Sequence, residues 1–337
     1  MIWFASVWQV FEIRGGENLE PCRIGDSLRI DTYLALRAVE AMERKDNMDV
    51  IGAVALIAFA LHLGFNQVVI KVTSEGFSPV FQAGFRSAGA VLVLVLWMRL
   101  RGIAFHVPRS AWAGGIIAGL FFALEFLCLF IALDVTTVSR ASVIFYSMPV
   151  WLALLAHFLF PGEGLTRVKT IGLVMAMVGV AVALSDRDGG QVSWAGDLLA
   201  LTSALCWAGI VVCVRLTPLS KVPPTQQLLF QVAVSAPILM LLAPAFGPMI
   251  RDVAPIHYAG MAFQIVGVAS LGFLFWFWLM SIYPASSVAS FSFLSPVFSV
   301  LLGWLLLSEQ VAPTIWGALI LVAGGIFLIN RKPKSGS

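Results

Sequence analysis

Three ionisable side chains fall inside long apolar runs of this 337-residue sequence: His62, Arg86 and Glu125. An ionised group at the centre of a bilayer costs roughly 2.5–3.5 kcal/mol on insertion scales, so each is first a candidate for chemistry. Arg86 could meet a substrate carboxylate or other anionic group. Glu125 could meet an amine or carry a coupling proton. The alternative is that the two only neutralise each other, since removing either would leave a buried, unpaired charge. His62 titrates in a range that suits a proton relay, or it serves as a hydrogen-bonded packing residue. With a rise of about 1.5 Å per residue, Arg86 lies roughly 11 Å from the Pro79 end of its run and Glu125 roughly 12 Å from Leu133. His62 lies at a similar depth, roughly 12–13 Å from the same side, so all three share one level.

Polar and aromatic residues in the same runs could complete a site: Asn66, Gln67, Gln82, Gln227 and Gln231, with Tyr146, Trp207, Trp276 and Trp278. The stretch from Phe273 to Trp278 offers a stacking or cation–π surface, or a face packed against helices or lipid. Enzymatic motifs do not appear. There is no His-Glu-x-x-His, no Gly-x-Ser-x-Gly and no phosphate loop, and the four histidines (His62, His106, His157, His257) fall on separate elements. No catalytic residue, metal site or cofactor is expected. Cys22, Cys128, Cys206 and Cys213 form no Cys-x-x-Cys pair and read as small apolar fillers.

What must position these side chains is a set of membrane-crossing helices. Hydrophobic residues make up 60% of the chain and charged residues only 12%, well outside a soluble composition. Crossing the hydrocarbon takes roughly 20 apolar residues. Ten runs qualify, near 49–70, 79–98, 111–133, 136–159, 168–185, 196–215, 225–244, 258–281, 285–307 and 313–330. Strands of a membrane barrel would be about half as long and would alternate polar with apolar. The expected fold is therefore an all-α integral membrane protein. With the N-terminus inside, sixteen Lys and Arg fall in cytoplasmic segments and four (Lys71, Arg140, Arg187, Arg251) in outer ones. Short-loop Lys/Arg excess marks the cytoplasmic face, so both termini are expected there.

The chain also repeats itself. Ala132-Leu133-Asp134, Pro149, Gly162-Glu163, Gly172 and Gly179 return as Ser281-Ile282-Tyr283, Pro296, Ser308-Glu309, Gly317 and Gly324, with one residue of slippage. Upstream, Gly52–Lys71 matches Gly196–Arg215, and Pro79, Gln82 and Arg86 match Pro224, Gln227 and Gln231. A period this long implies two similar halves. Five spans per half is an odd number, so the second half enters from the opposite face as an inverted repeat, an arrangement that places a site between the halves near mid-bilayer. The expected division is a cytoplasmic extension at 1–47, a first repeat at 48–185, an outer linker at 186–195, a second repeat at 196–330 and a basic tail at 331–337. The extension is read as a short surface helix over 31–47, or as residues upstream of a true start at Met48. Pro149 and Pro296 are expected to kink their spans and serve as hinges or cavity walls, or to bend them for packing alone. Glu163 and Glu309, at span ends just before Thr166 and Pro313, are expected to stabilise the N-termini of the helices that follow. Gly115 and Gly119, Gly84 and Ala88, and Ser286 and Ser290 have the spacing of close helix contacts.

These residues carry a resemblance. Pro79 followed by Arg86, Ala132-Leu133 before a Thr/Ser-rich turn, Pro149, Gly162-Glu163, Gly172, Pro296, Glu309, Gly317 and Gly324 make the chain similar, over 48–330, to EamA-type permeases of the drug/metabolite transporter superfamily. Glu125 departs from that pattern, as does Gln231 where the first half has Arg86. The resemblance implies ten helices in two five-helix repeats, a location in the cell's inner (plasma) membrane, and transport of a small organic solute such as an amino acid, a related metabolite or a drug-like compound. The resulting expectation is a secondary transporter working by alternating access, with efflux favoured over uptake; a passive channel and a membrane-embedded enzyme are the competing readings. The expected partners are a small-molecule substrate, the lipid bilayer and a second copy of the chain, with no nucleic acid.

Overall fold

The structure, a computed structural model, describes residues 48–160, 165–186, 193–283, 288 and 291–330. The 1–47 extension, Glu163, most of the central linker, Ser286, Ser290 and the 331–337 tail lie outside the described residues. In the first half, α1 is Val50–Thr73, α2 Pro79–Leu100, α3 Trp112–Val135, α4 Val138–Phe145, α5 Met148–Leu159 and α6 Arg167–Ser185. In the second, α7 is Trp194–Leu216, α8 Pro224–Leu242, α9 Pro255–Ala262, α10 Phe273–Ile282, α11 Leu294–Leu307 and α12 Pro313–Asn330. A π-helical stretch, Phe263–Gly272, joins α9 to α10 into one long span. Among the described residues, nine spans are long and apolar enough to cross a bilayer, and the tenth apolar helix, Phe291–Leu307, is shorter.

The helices start where local chemistry supplies the missing acceptors. Asp49 accepts from the Gly52 N–H at 2.8 Å, and Thr137, Thr166 and Ser193 cap α4, α6 and α7 in the same way. Proline opens α2, α8, α9 and α12, where its absent N–H costs nothing. Once started, the helices are apolar on nearly every face, as a membrane span must be. Leu92, Leu241, Phe158 and Ile320 stand 70–82% exposed on the outside, where lipid replaces water as their solvent.

The two halves interlock instead of standing side by side. α2 packs on α8 and α6 on α12, so the second and fifth spans of each half meet their own counterparts. α1 packs on α11, and its counterpart α7 packs on α4 and α5; α3 meets α8, and α2 meets the π-helical stretch. Exchanging the halves maps each of these contacts onto another. Small residues set the close approaches. A Cβ at Gly172 would meet the Gly325 carbonyl oxygen at 2.7 Å, and one at Gly325 would meet the Gly172 oxygen at 2.5 Å. Gly115 and Gly119 of α3 lie against Phe230 and Val234 of α8, the close contact that their spacing implied.

Two sequence expectations change here. The pairing of Gly172 with Gly325 and of Gly179 with Ala318 sets the repeat register one residue later than the alignment of Gly172 with Gly317 and Gly179 with Gly324. A Cβ at Gly317 would meet nothing within 4 Å. The prolines also sit differently. The fourth span breaks at Tyr146 and Ser147, where the Ser147 hydroxyl donates to the Ile144 carbonyl at 2.6 Å, and Pro149 falls in the first turn of α5. Pro296 likewise falls in the first turn of α11, after a 3-10 turn at Phe291–Phe293. Each proline therefore lies in the first turn of a helix segment, where its missing N–H belongs to donors that have no intrahelical acceptor. Among the described residues, Pro237 in α8 is the proline that lies inside a helix.

Candidate functional site

A cavity of about 410 Å³ lies between the halves. α1, α2, α3, α4, α5 and the start of α6 supply one wall, and α7, α10, α11, α12 and the π-helical stretch the other. At its deep end are Arg86 and Glu125, with Asn66 and Gln67 on α1 and Tyr146 at the break between α4 and α5. Phe59, Phe126, Phe145, Trp207 and Trp276 make much of the remaining surface aromatic. The lining continues to Lys169, Arg215 and Asn330, at the ends of α6, α7 and α12.

The polar groups at the deep end are short of partners. Arg86 is 4% exposed, and its Nη1 has no hydrogen-bond acceptor. Its guanidinium carbon lies 4.3 Å from the centre of the Phe126 ring and 5.7 Å from that of Phe130, a cation–π contact that offsets part of the desolvation. Glu125 is 3% exposed. No ion pair joins Arg86 to Glu125. Mutual neutralisation by a salt bridge is therefore not what holds them in the membrane. The carbonyl oxygens of Asn66 and Gln67 are also buried without a donor, while the Gln67 amide donates to the Tyr146 hydroxyl at 3.4 Å. Arg86, Asn66 and Gln67 thus put three unpaired buried polar atoms on one cavity wall, where an occupant could pair with them.

The sequence-derived candidates divide accordingly. Arg86, Glu125, Asn66, Tyr146, Trp207 and Trp276 line the cavity, as does Pro149. His62, Gln82 and Gln231 do not. His62 Nε2 is 3.1 Å from the Gly267 carbonyl, within the π-helical stretch, and its ring packs against Phe263. Gln82 is fully buried and donates to the Gln264 side chain at 3.2 Å and the Ile70 carbonyl at 3.3 Å, tying α2 to α1 and the π-helical stretch. Gln231 is buried in α8. Phe126, Lys169 and Arg215 were missed as cavity residues. Phe126 carried a legible signal, since it lies four residues before Phe130 on the helix face next to Glu125.

The opposite ends of the helices are stitched across the two halves. Arg251 makes a bidentate pair with Asp134, at 2.8 and 3.0 Å, and also donates to the Ser74 carbonyl at 2.8 Å. The hydrogen bonds to Asp134 hold the Arg251 guanidinium above its ordinary pKa, so the cation is retained at every physiological pH. Lys71 donates to the Asp134 and Thr136 carbonyls, and a short antiparallel bridge joins Phe77 to Ile250. Deeper in, Arg140 holds Asp197 through bonds of 2.6 and 2.8 Å, with the two side chains 3% and 0% exposed. Glu309 accepts from the N–H groups of Val138 and Ser139, at 2.6 and 3.0 Å, and from the Ser139 hydroxyl at 2.6 Å. Glu309 thus caps a helix, but one in the other half and not the helix that follows it. Sequence spacing pointed to Pro313–Asn330; the fold brings the N-terminus of α4 instead, and the unpaired donors there attract the carboxylate. Lys71, Arg140 and Arg251, which the sequence offered only as loop charges, all belong to this closed end.

Comparison with known proteins agrees with this architecture. The model of the EamA-like transporter family matches twice, over residues 50–185 and 194–331. The Bacillus subtilis (strain 168) protein named as the uncharacterized transporter YvbV is 29% identical over 291 residues, covering 83% of this chain and 92% of that one. The Escherichia coli (strain K12) protein named as the uncharacterized inner membrane transporter YedA is 24% identical over 298 residues, covering 83% and 92%. A crystal structure of a protein 21% identical in sequence superposes with a TM-score of 0.59, over 81% of this chain and 94% of the other, which speaks for the fold alone.

Proposed function

The chain belongs to the EamA-like transporter family and is a multi-pass membrane transporter, and from that premise we propose that it is a secondary transporter which moves a small organic solute through the cavity by alternating access. The observation that carries this reading is the asymmetry of the space between the halves. A cavity with unpaired polar groups at its deep end runs to Lys169, Arg215 and Asn330, while the far end is closed by bonds that cross from one half to the other. Two interlocked five-span units, each entering from the opposite face, can rock about such a site and exchange which end is closed. The Lys/Arg distribution orients the mouth to the cytoplasm and the stitched end outward, with both termini inside. A mouth facing the cytoplasm favours loading from within and hence export.

The test is counterflow in proteoliposomes. The purified protein, reconstituted with unlabelled solute inside, should drive transient uptake of labelled solute that saturates with concentration. Flux that rises linearly, with no counterflow, would make the protein a passive channel and reject the rocking mechanism.

A further inference from the structure

We propose that the solute this cavity takes is an organic monoanion: a carboxylate on an apolar, preferably aromatic, body. The proposal rests on the reading of the cavity as the transport site and adds the chemistry of its occupant.

The first observation is charge. Of the described residues that line the cavity, three are basic (Arg86, Lys169, Arg215) and one is acidic (Glu125). Basic side chains along an apolar wall attract anions, and Arg86, buried and with an Nη1 that has no acceptor, is where that attraction is strongest. The cations are also graded along the path, with Lys169 and Arg215 at the mouth and Arg86 at the deep end.

The second is the unpaired donor. Arg86 is buried, bonded to no carboxylate, and braced face-on by the Phe126 ring, which leaves the edge of the guanidinium as its hydrogen-bonding side. A planar fork held this way matches a carboxylate in bidentate geometry, which a neutral amide or an amine does not reproduce. Leaving such a donor unpaired is costly, so the occupant that relieves it gains selectively.

The third is the remainder of the wall. Phe59, Leu63, Leu129, Phe145 and Trp276 fit an apolar or aromatic body, and the volume is that of a small-molecule site. Among the described residues lining the deep end, Arg86 is the one basic side chain, so the site offers a buried cation to a single anionic group. The unpaired Asn66 and Gln67 carbonyls can accept from a hydroxyl or amino group beside the carboxylate. A plain carboxylic acid and an amino acid share the recognised group, and the experiment separates them.

The experiment measures binding to the full-length protein in lipid nanodiscs, by thermal shift and calorimetry, with sets of probes that share a body and differ in one group. One set is 3-phenylpropionate, 3-phenylpropanamide, 3-phenylpropylamine and phenylalanine; parallel sets carry indolyl and branched aliphatic bodies. The carboxylates should bind roughly ten- to a hundredfold more tightly than the matched amide or amine, the range expected for a charge-assisted bond made in a buried site. Phenylalanine against 3-phenylpropionate reads whether an ammonium group adds to the carboxylate or detracts from it. Arg86→Gln should abolish the preference for carboxylate over amide, and Arg86→Lys should weaken it while keeping its sign. Equal or tighter binding of the amide or amine by the unaltered protein overturns the proposal, as does a set in which no carboxylate binds or a preference that survives Arg86→Gln. The comparison of carboxylate with amide needs no variant, so a misfolded Arg86→Gln protein does not protect the idea. If the carboxylates bind as expected but show no counterflow, the transport reading fails and the assignment of the site stands.

Discussion

Glu309→Gln should loosen the closed end. In the structure one oxygen of Glu309 takes the Val138 N–H at 2.6 Å, and the other takes the Ser139 N–H at 3.0 Å and the Ser139 hydroxyl at 2.6 Å. These are the first donors of α4, where the helix dipole adds to the attraction for an anion. Glutamine keeps one acceptor oxygen and turns an NH2 group toward a backbone donor, so it loses the charge at all three hydrogen bonds and at least one backbone bond altogether. Hydrogen bonds to charged groups contribute about 1.5–3 kcal/mol each where they are well buried. Glu309 is only partly buried, so solvent screening reduces that to a net loss of about 1–3 kcal/mol. If the contact exists only while this end is closed, the closed-to-open ratio should fall roughly 5- to 150-fold. Spin labels at Val135 and Phe246, both exposed and on opposite halves, can report the change by pulsed electron resonance in nanodiscs. A longer-distance population should appear or grow in Glu309→Gln, and grow further in Glu309→Ala. A distance distribution unchanged in both variants, from protein that still elutes as a single folded species, would refute the assignment of Glu309 as a contact specific to the closed state.

Other consequences are open to simpler measurement. Asp197→Ala leaves the Arg140 guanidinium buried and unpaired and should cost about 3–5 kcal/mol, whereas the double change Arg140→Met with Asp197→Leu should recover most of it; reversible unfolding in mixed micelles reads both. Gly172→Ala forces a Cβ onto the Gly325 carbonyl and should lower stability by about 1–3 kcal/mol, while Gly317→Ala, with open space around it, should leave the thermal midpoint unchanged or slightly raised. Asn66→Ala should raise KM for the transported solute with little loss of stability, since its carbonyl oxygen has no partner to lose. Gln82→Ala, whose amide ties α2 to the π-helical stretch, should do the reverse, lowering the unfolding midpoint and leaving KM near its original value. A KM change with Gln82→Ala that equals the one with Asn66→Ala would mean that the cavity boundary has been drawn in the wrong place.

Asn66 and Gln82 also show how far the sequence could be read. Both are amides inside apolar runs, and neither run has a polar face that would say which way its helix is turned. The rotation of α1 and α2 comes from contacts with α11 and α8, more than a hundred residues away along the chain. Arg86 and Glu125 could be singled out because a charge in a span is costly wherever it points; whether they touched each other could not be read at all. Pro149 and Pro296 were conspicuous by type, yet their effect depended on whether the helix continued before them. The break at Ser147, closed by its own hydroxyl, decided that for α5. Glu309 is the plainest case, a capping carboxylate recognisable as such from its position at a span end, but paired with a helix that no sequence spacing identifies.

By itself the sequence determined that the chain lives in a membrane, where its spans begin and end, and that it is one five-span unit written twice. Those properties follow from local hydropathy, capping residues and self-similarity, each readable within one stretch of chain or by laying one stretch on another. Only the tertiary structure decided which polar groups face the common cavity, that Arg86 and Glu125 remain apart, and that Lys71, Arg140, Arg251 and Glu309 gather at the closed end. Each of those outcomes is set by how uniformly apolar helices rotate and slide against distant partners, and a helix that is hydrophobic all round carries no record of that in its own residues.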